Sequence, residues 1–140
     1  MVRLEQPIEY LKDQTLRTQT TAQKKQSTKL LKRAQEILED DKAVDLTVID
    51  LEDKTPMAEY LIIVTGTSHR HVSAMAHRLI SKLKDEGYGR AQVEGLAQGD
   101  WVLVDAGGVI IHIFRPEVRD FYNLEKMWTV DIDEAMNQDS

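Results

Sequence analysis

An α/β domain, with a mixed five-stranded sheet and two or three helices packed on it, is what this sequence predicts, and three observations carry the prediction. Tyr60-Leu-Ile-Ile-Val64 is apolar at every position, as a strand covered on both faces is. It runs through Thr65-Gly-Thr-Ser68 into a helical stripe of Val72, Met75, Ala76, Leu79 and Leu83, which makes one βα unit. Gly107-Gly108 separates two apolar runs, Trp101 to Ala106 and Val109 to Phe114, in the manner of a two-residue hairpin turn.

In chain order, residues 1–26 are rich in Gln and Thr without a sustained period and read as a flexible polar N-terminal arm, with at most a helical turn near Ile8 to Leu16. Ser27 is a good N-cap, and Leu30, Leu31, Ala34, Ile37 and Leu38 follow at helical spacing, which predicts a first helix over about 28–41. Asp45 to Leu51 is a β-branched run closed by Glu52, Asp53 and Pro56, a strand followed by a polar loop. The helix after Ser68 spans about 69–86, with Gly87 past its end. Gln92 to Gly95 is a short third strand, the two hairpin strands follow, and Pro116 opens a last helix ending near Trp128. Residues 27–130 therefore form a single α/β domain, and 131–140 an acidic tail.

A length of 140 residues suits one domain, and a chain of that size buries enough surface to need neither disulfide nor structural metal. The absence of cysteine excludes thiolate catalysis, iron–sulfur clusters and cysteine-based zinc sites. No apolar run approaches the roughly 18 to 20 residues of a membrane span, and Met1 to Lys12 lacks a signal-peptide core, so the expectation is a cytoplasmic protein with no membrane partner. The net charge of −6 is unevenly spread. Residues 1–33 hold eight Lys/Arg against three Asp/Glu, residues 45–128 hold nine against thirteen, and 131–140 hold four acids and no base. An acidic body reads bare phosphate poorly and is the natural complement of a basic protein surface.

A two-residue turn fixes which hairpin side chains share a face. Pairing outward sets Trp101 opposite Phe114, Leu103 opposite His112 and Asp105 opposite Ile110. One face is then wholly aliphatic: Val102, Val104, Ala106, Val109, Ile111 and Ile113. The other mixes Trp101, Leu103, Asp105, Ile110, His112 and Phe114, a composition suited to a recognition face. Asp105 and His112 lie on a diagonal of this ladder, which predicts a shared hydrogen bond and a raised imidazole pKa.

Two function classes compete. Gly66-Thr67-Ser68 between a strand and a helix N-terminus can hold phosphate on backbone N–H groups, and nucleotidyltransferases use such a turn together with carboxylates that bind magnesium. Glu94 and Asp105 are available as ligands, but Gln92 stands where an acid is needed, and Ser68 as a helix cap with Gly66 permitting the turn accounts for both residues without chemistry. His69, Arg70, His71 and His77 lack the spacing of metal ligands and read as solvated helix positions. The prediction is accordingly no catalytic residue, no metal and no cofactor.

Across residues 45–128, Asp50-Leu51, Tyr60 to Val64, Thr65 to Ser68 with Arg70 and Val72, Glu94-Gly95, Trp101 with Asp105, His112 with Phe114, and Arg119, Tyr122, Leu124, Glu125 and Trp128 occur in an order that resembles the Iojap family, the ribosomal silencing factors S. The resemblance implies a nucleotidyltransferase-like fold without known enzymatic activity. It further implies binding to the large ribosomal subunit, at its ribosomal protein number fourteen, where the factor blocks joining of the small subunit and represses translation. Trp101, Asp105, His112, Tyr122 and Glu125 are the expected partner-binding residues, with Trp101 the preferred anchor and Leu124 and Trp128 in the core. The basic arm is a candidate for weak rRNA contact, and a homodimer is compatible with the sequence. Glu59 and Ala106-Gly-Gly108 depart from the family pattern, which usually has Asp at the first position and an aromatic or leucine followed by Gly-Asp at the second.

Overall fold

The computed structural model describes residues 2–51 and 58–122, with side chains over 21–51 and 58–120. The chain runs α1 (Val2–Asp40), β1 (Val44–Asp50), β2 (Tyr60–Thr65), α2 (His69–Asp85), β3 (Gln92–Glu94), β4 (Trp101–Asp105), β5 (Val109–Phe114) and α3 (Pro116–Tyr122). The strands form one sheet in the order β1-β2-β5-β4-β3. β2 and β5 run parallel and every other pair is antiparallel, which is the predicted mixed five-stranded sheet. Continuation of the last helix to Trp128 and the acidic tail lie outside the described residues, and with them Glu125 and the side chain of Tyr122.

The hairpin adopts the register its turn dictates, with Trp101 opposite Phe114, Leu103 opposite His112 and Asp105 opposite Ile110. The amide of Ala106 donates to the Val109 carbonyl at 3.0 Å, closing the two-residue turn. Its two glycines serve different needs. Gly107 sits at φ +96°, a left-handed conformation that side chains disfavour, whereas a β-carbon at Gly108 would collide with Ser27 Oγ.

That contact corrects the expected start of the first helix. Ser27 is not an N-cap: α1 passes through it without a break, and Ser27 is buried, its hydroxyl donating to Glu59 Oε2 at 3.5 Å. Between Ile8 and Asp40 the chain has neither glycine nor proline, so past Pro7 nothing interrupts the intrahelical ladder. Lys24, assigned from sequence to the arm, reaches Asp50 on β1 at 3.2 Å and lies 4.4 Å from the Tyr60 ring centroid.

Packing divides the sheet into two unlike faces. The aliphatic face, with Ile62 and Val64 of β2 beside Val102, Val104, Val109, Ile111 and Ile113, lies under Leu30, Ala34, Ile37 and Leu38 of α1 and under Val72, Met75, Ala76, Leu79 and Leu83 of α2. The opposite face carries a smaller cluster of Ile49, Leu61, Ile63 and Phe114, with Trp101, Ile110 and Val118 of α3 packed against it. Among the described residues no helix is long and apolar enough to cross a membrane.

Candidate functional site

On the mixed face the hairpin residues fall into two depths. Phe114 is fully buried and His112 is 9% exposed, while Trp101, Leu103, Asp105 and Ile110 are only half-covered. β3 pairs with β4 so that Gln92 lies opposite Asp105 and Glu94 opposite Leu103. Both β3 side chains are exposed and share this face. An apolar patch of Trp101, Leu103 and Ile110 is therefore bordered by Glu94 and Asp105.

Trp101 and His112 form one unit. The indole Nε1–H donates to His112 Nδ1 at 2.8 Å, and the Trp101 ring meets Phe114 edge-on at a centroid distance of 5.0 Å. His112 also stacks on Phe114 at 5.8 Å. With Nδ1 accepting, the imidazole is held neutral with its proton on Nε2.

The expected Asp105–His112 hydrogen bond is not formed. Asp105 Oδ1 instead accepts from the Gly107 amide at 3.0 Å, an Asx turn that braces the hairpin, and Trp101 occupies the other diagonal from His112. The pKa expectation reverses with it: burial pushes His112 down to about 4 rather than up. Because the folded value lies below the unfolded one, near 6.5, the unfolded chain binds the extra proton between those limits, so this group's stabilisation is complete above pH 6.5 and lost as pH falls toward 4. The gap between about 4 and 6.5 corresponds to roughly 3 kcal/mol. His112→Asn, which retains an acceptor near the Nδ1 position but does not titrate, is expected to remove most of that pH dependence in urea unfolding between pH 7 and 4.5. Equal pH dependence in the two proteins contradicts the assignment.

Of the expected site residues, the structure thus brings Trp101, His112 and Asp105 onto one face, with His112 beneath the surface and Asp105 engaged by the turn. Tyr122 ends α3, and Glu125 lies outside the described residues. Leu103 and Ile110, which complete the patch, lie on the mixed face that the hairpin alternation singles out but are not among the named partner-binding residues, and Glu94 enters the sequence reading only as a candidate magnesium ligand.

The glycine turn lies elsewhere. Thr65 pairs with Phe114, whereas Asp105 is level with Ile110 and Leu61, four residues away or about 13 Å along the strands. Glu94 is three strands from β2, about 14 Å across the sheet. The turn and the two carboxylates do not form one centre, and among the described residues no three His, Asp or Glu side chains converge on a metal position. Ser68 Oγ accepts from the His71 amide at 3.1 Å as a helix cap, and a β-carbon at Gly66 would lie 2.7 Å from Val72 Cγ2, so close helix–strand packing accounts for the glycine.

His71 is more than a solvated helix residue. Its Nδ1 accepts from the Thr67 amide at 2.9 Å and its Nε2 donates to the Asp41 carbonyl at 2.7 Å, tying the turn to the end of α1. Arg119 similarly fastens α3 to the sheet, donating to Thr65 Oγ1 at 2.8 Å and Thr47 Oγ1 at 3.2 Å. Both residues maintain the fold around the site rather than forming its surface.

Fold and face together define a small α/β domain that offers an acid-bordered apolar patch on one side of its sheet. The chain belongs to the ribosomal silencing factor family: the model for the ribosomal silencing factor during starvation, RsfS, matches residues 24–140. It is 48% identical over 99 residues to the ribosomal silencing factor RsfS of Zymomonas mobilis, across 71% of this chain and 74% of that one. A crystal structure of a Chromobacterium violaceum protein superposes with a TM-score of 0.71 at 39% identity, covering 74% of this chain and 87% of that chain. The mouse mitochondrial assembly of ribosomal large subunit protein 1 is 36% identical over 99 residues, 67% of this chain and 42% of that protein. The resemblance read from residues 45–128 is thereby borne out.

Proposed function

We propose that this chain represses translation by binding the large ribosomal subunit, at its ribosomal protein number fourteen, through the mixed face of the β4–β5 hairpin, and so occludes the surface that the small subunit joins. The family role supports the setting, and the name of the mouse relative, which refers to the large ribosomal subunit, supports the choice of subunit. The observation that carries the reading is the half-covered patch of Trp101, Leu103 and Ile110 bordered by Glu94 and Asp105. Apolar anchors supply binding energy where water is excluded, and bordering acids steer a basic protein surface into register. The acidic balance over residues 45–128 extends that steering to the whole body.

Occlusion makes a direct prediction. A factor seated on the joining surface competes with the small subunit, so the labelled protein should bind isolated large subunits at least about tenfold more tightly than whole ribosomes, a difference of about 1.4 kcal/mol. Equilibrium binding to both particles at one salt concentration reads this out, and equal affinity contradicts occlusion.

A further inference from the structure

The opposite layer of the molecule carries a charge pattern that an acidic factor for a basic protein does not need. Residues 14–35 contain six Lys/Arg and no Asp/Glu, in a chain with 24 acids. α1 sorts five of these bases by direction. Lys24 turns inward to Asp50 and Tyr60, and Arg33 makes a two-point contact with Glu86 at 2.6 and 2.8 Å. Lys25, Lys29 and Lys32 are exposed, and none of them has an ion pair among the described residues. Positions i, i+4 and i+7 fall on one helical stripe, rising about 6 Å and then about 4.5 Å along the axis. The stripe lies opposite Ser27, Leu30 and Ala34, the residues that α1 buries against the body, so the three ammonium groups project away from the sheet. Glu36 follows on the same line and is drawn to Arg33 at 3.7 Å, closing the stripe at its C-terminal end.

We infer that Lys25, Lys29 and Lys32 form a second contact surface, which takes the phosphate backbone of ribosomal RNA in the large subunit. The inference rests on the large-subunit reading above and adds a partner of different chemistry on the other side of the sheet. Exposed ammonium groups on flexible stems suit phosphate, which they meet as point charges without demanding a base sequence. An acid-free row on an otherwise acidic protein keeps that attraction local. The protein thereby offers unlike surfaces to the two components of a ribosomal particle, with acids and apolar area toward basic protein and lysines toward RNA.

Counterion release supplies the test. Each phosphate contact adds about 0.7 to 0.9 to the slope of log affinity against log salt. The full-length Lys25→Gln/Lys29→Gln/Lys32→Gln protein should bind isolated large subunits with a slope shallower by about 2 to 3. Between 50 and 200 mM salt, wild type should then lose about 20- to 40-fold more affinity than the variant. The matching triple Lys→Arg protein should retain the wild-type slope, and thermal melts of both should coincide with wild type, since the three positions are exposed. A photoreactive benzoylphenylalanine at Thr21, exposed one turn before Lys25, should give an adduct with the large subunit that ribonuclease removes. An unchanged slope in the Gln variant, an adduct to ribosomal protein, or no adduct overturns the inference while leaving the large-subunit reading intact. Failure of wild type to bind large subunits defeats the reading itself and the inference with it.

Discussion

Ile111→Ala is expected to lower the free energy of unfolding by about 2 to 5 kcal/mol and the melting temperature by roughly 6 to 20 °C. Ile111 is fully buried in the middle of the sheet, paired with Ile62 on one side and Val104 on the other, beneath the layer made by α1 and α2. Truncation removes three carbons from a position whose neighbours are held by two strands and two helices, so the cavity has little freedom to collapse. The binding affinity of the molecules that remain folded should not change, because Ile111 faces away from the proposed contact surface. Urea unfolding, together with binding measured well below the melting temperature, checks both halves. A stability loss under about 1 kcal/mol would mean that the aliphatic face is not the main core.

The hairpin shows how far sequence alone reaches. A two-residue glycine turn allows one register, and register fixes parity, so the assignment of Ile111 inward and Leu103 to the mixed face follows from counting outward from Gly107 and Gly108. The Asp105–His112 pair was not legible in that way. His112 has two diagonal neighbours, Trp101 and Asp105, and the pairing scheme does not say which of them the twist of the ladder and the side-chain rotamers bring close. Trp101 takes the position, and Asp105 spends its carboxylate on the Gly107 amide two residues away.

The start of α1 is illegible in the sequence for a related reason. Ser27 has the chemistry of an N-cap, but a serine caps only where the ladder of amides begins, and between Ile8 and Ser27 the chain carries neither glycine nor proline to stop a helix. What Ser27 does instead, packing on Gly108 in a turn more than 80 residues away, depends on tertiary contact and leaves no local trace. His71 is similar: its bonds to Asp41 and Thr67 join elements whose proximity no sequence period reveals. The basic bias of the N-terminal third was plain from composition, yet only the helix separates the paired Lys24 and Arg33 from the exposed Lys25, Lys29 and Lys32.

Trp101, the anchor expected from sequence, is an ambiguous probe of the contact surface. Its indole packs on Phe114 and donates to His112, so Trp101→Ala disturbs the fold as well as the face. Leu103 separates the two. It is half-covered at the centre of the patch, with Glu94 directly across on β3. A lysine at this position faces that carboxylate, a cross-strand pairing of opposite charges that offsets the lost apolar contact, while setting a positive charge against a basic partner. The affinity of Leu103→Lys for isolated large subunits, measured beside its thermal melt, is therefore the most direct test of the claim that this face binds the ribosome. The account predicts at least about a thirtyfold loss of affinity, about 2 kcal/mol, with a melting temperature within a few degrees of wild type. Wild-type affinity in a protein that melts normally would contradict it and move the contact surface off the hairpin.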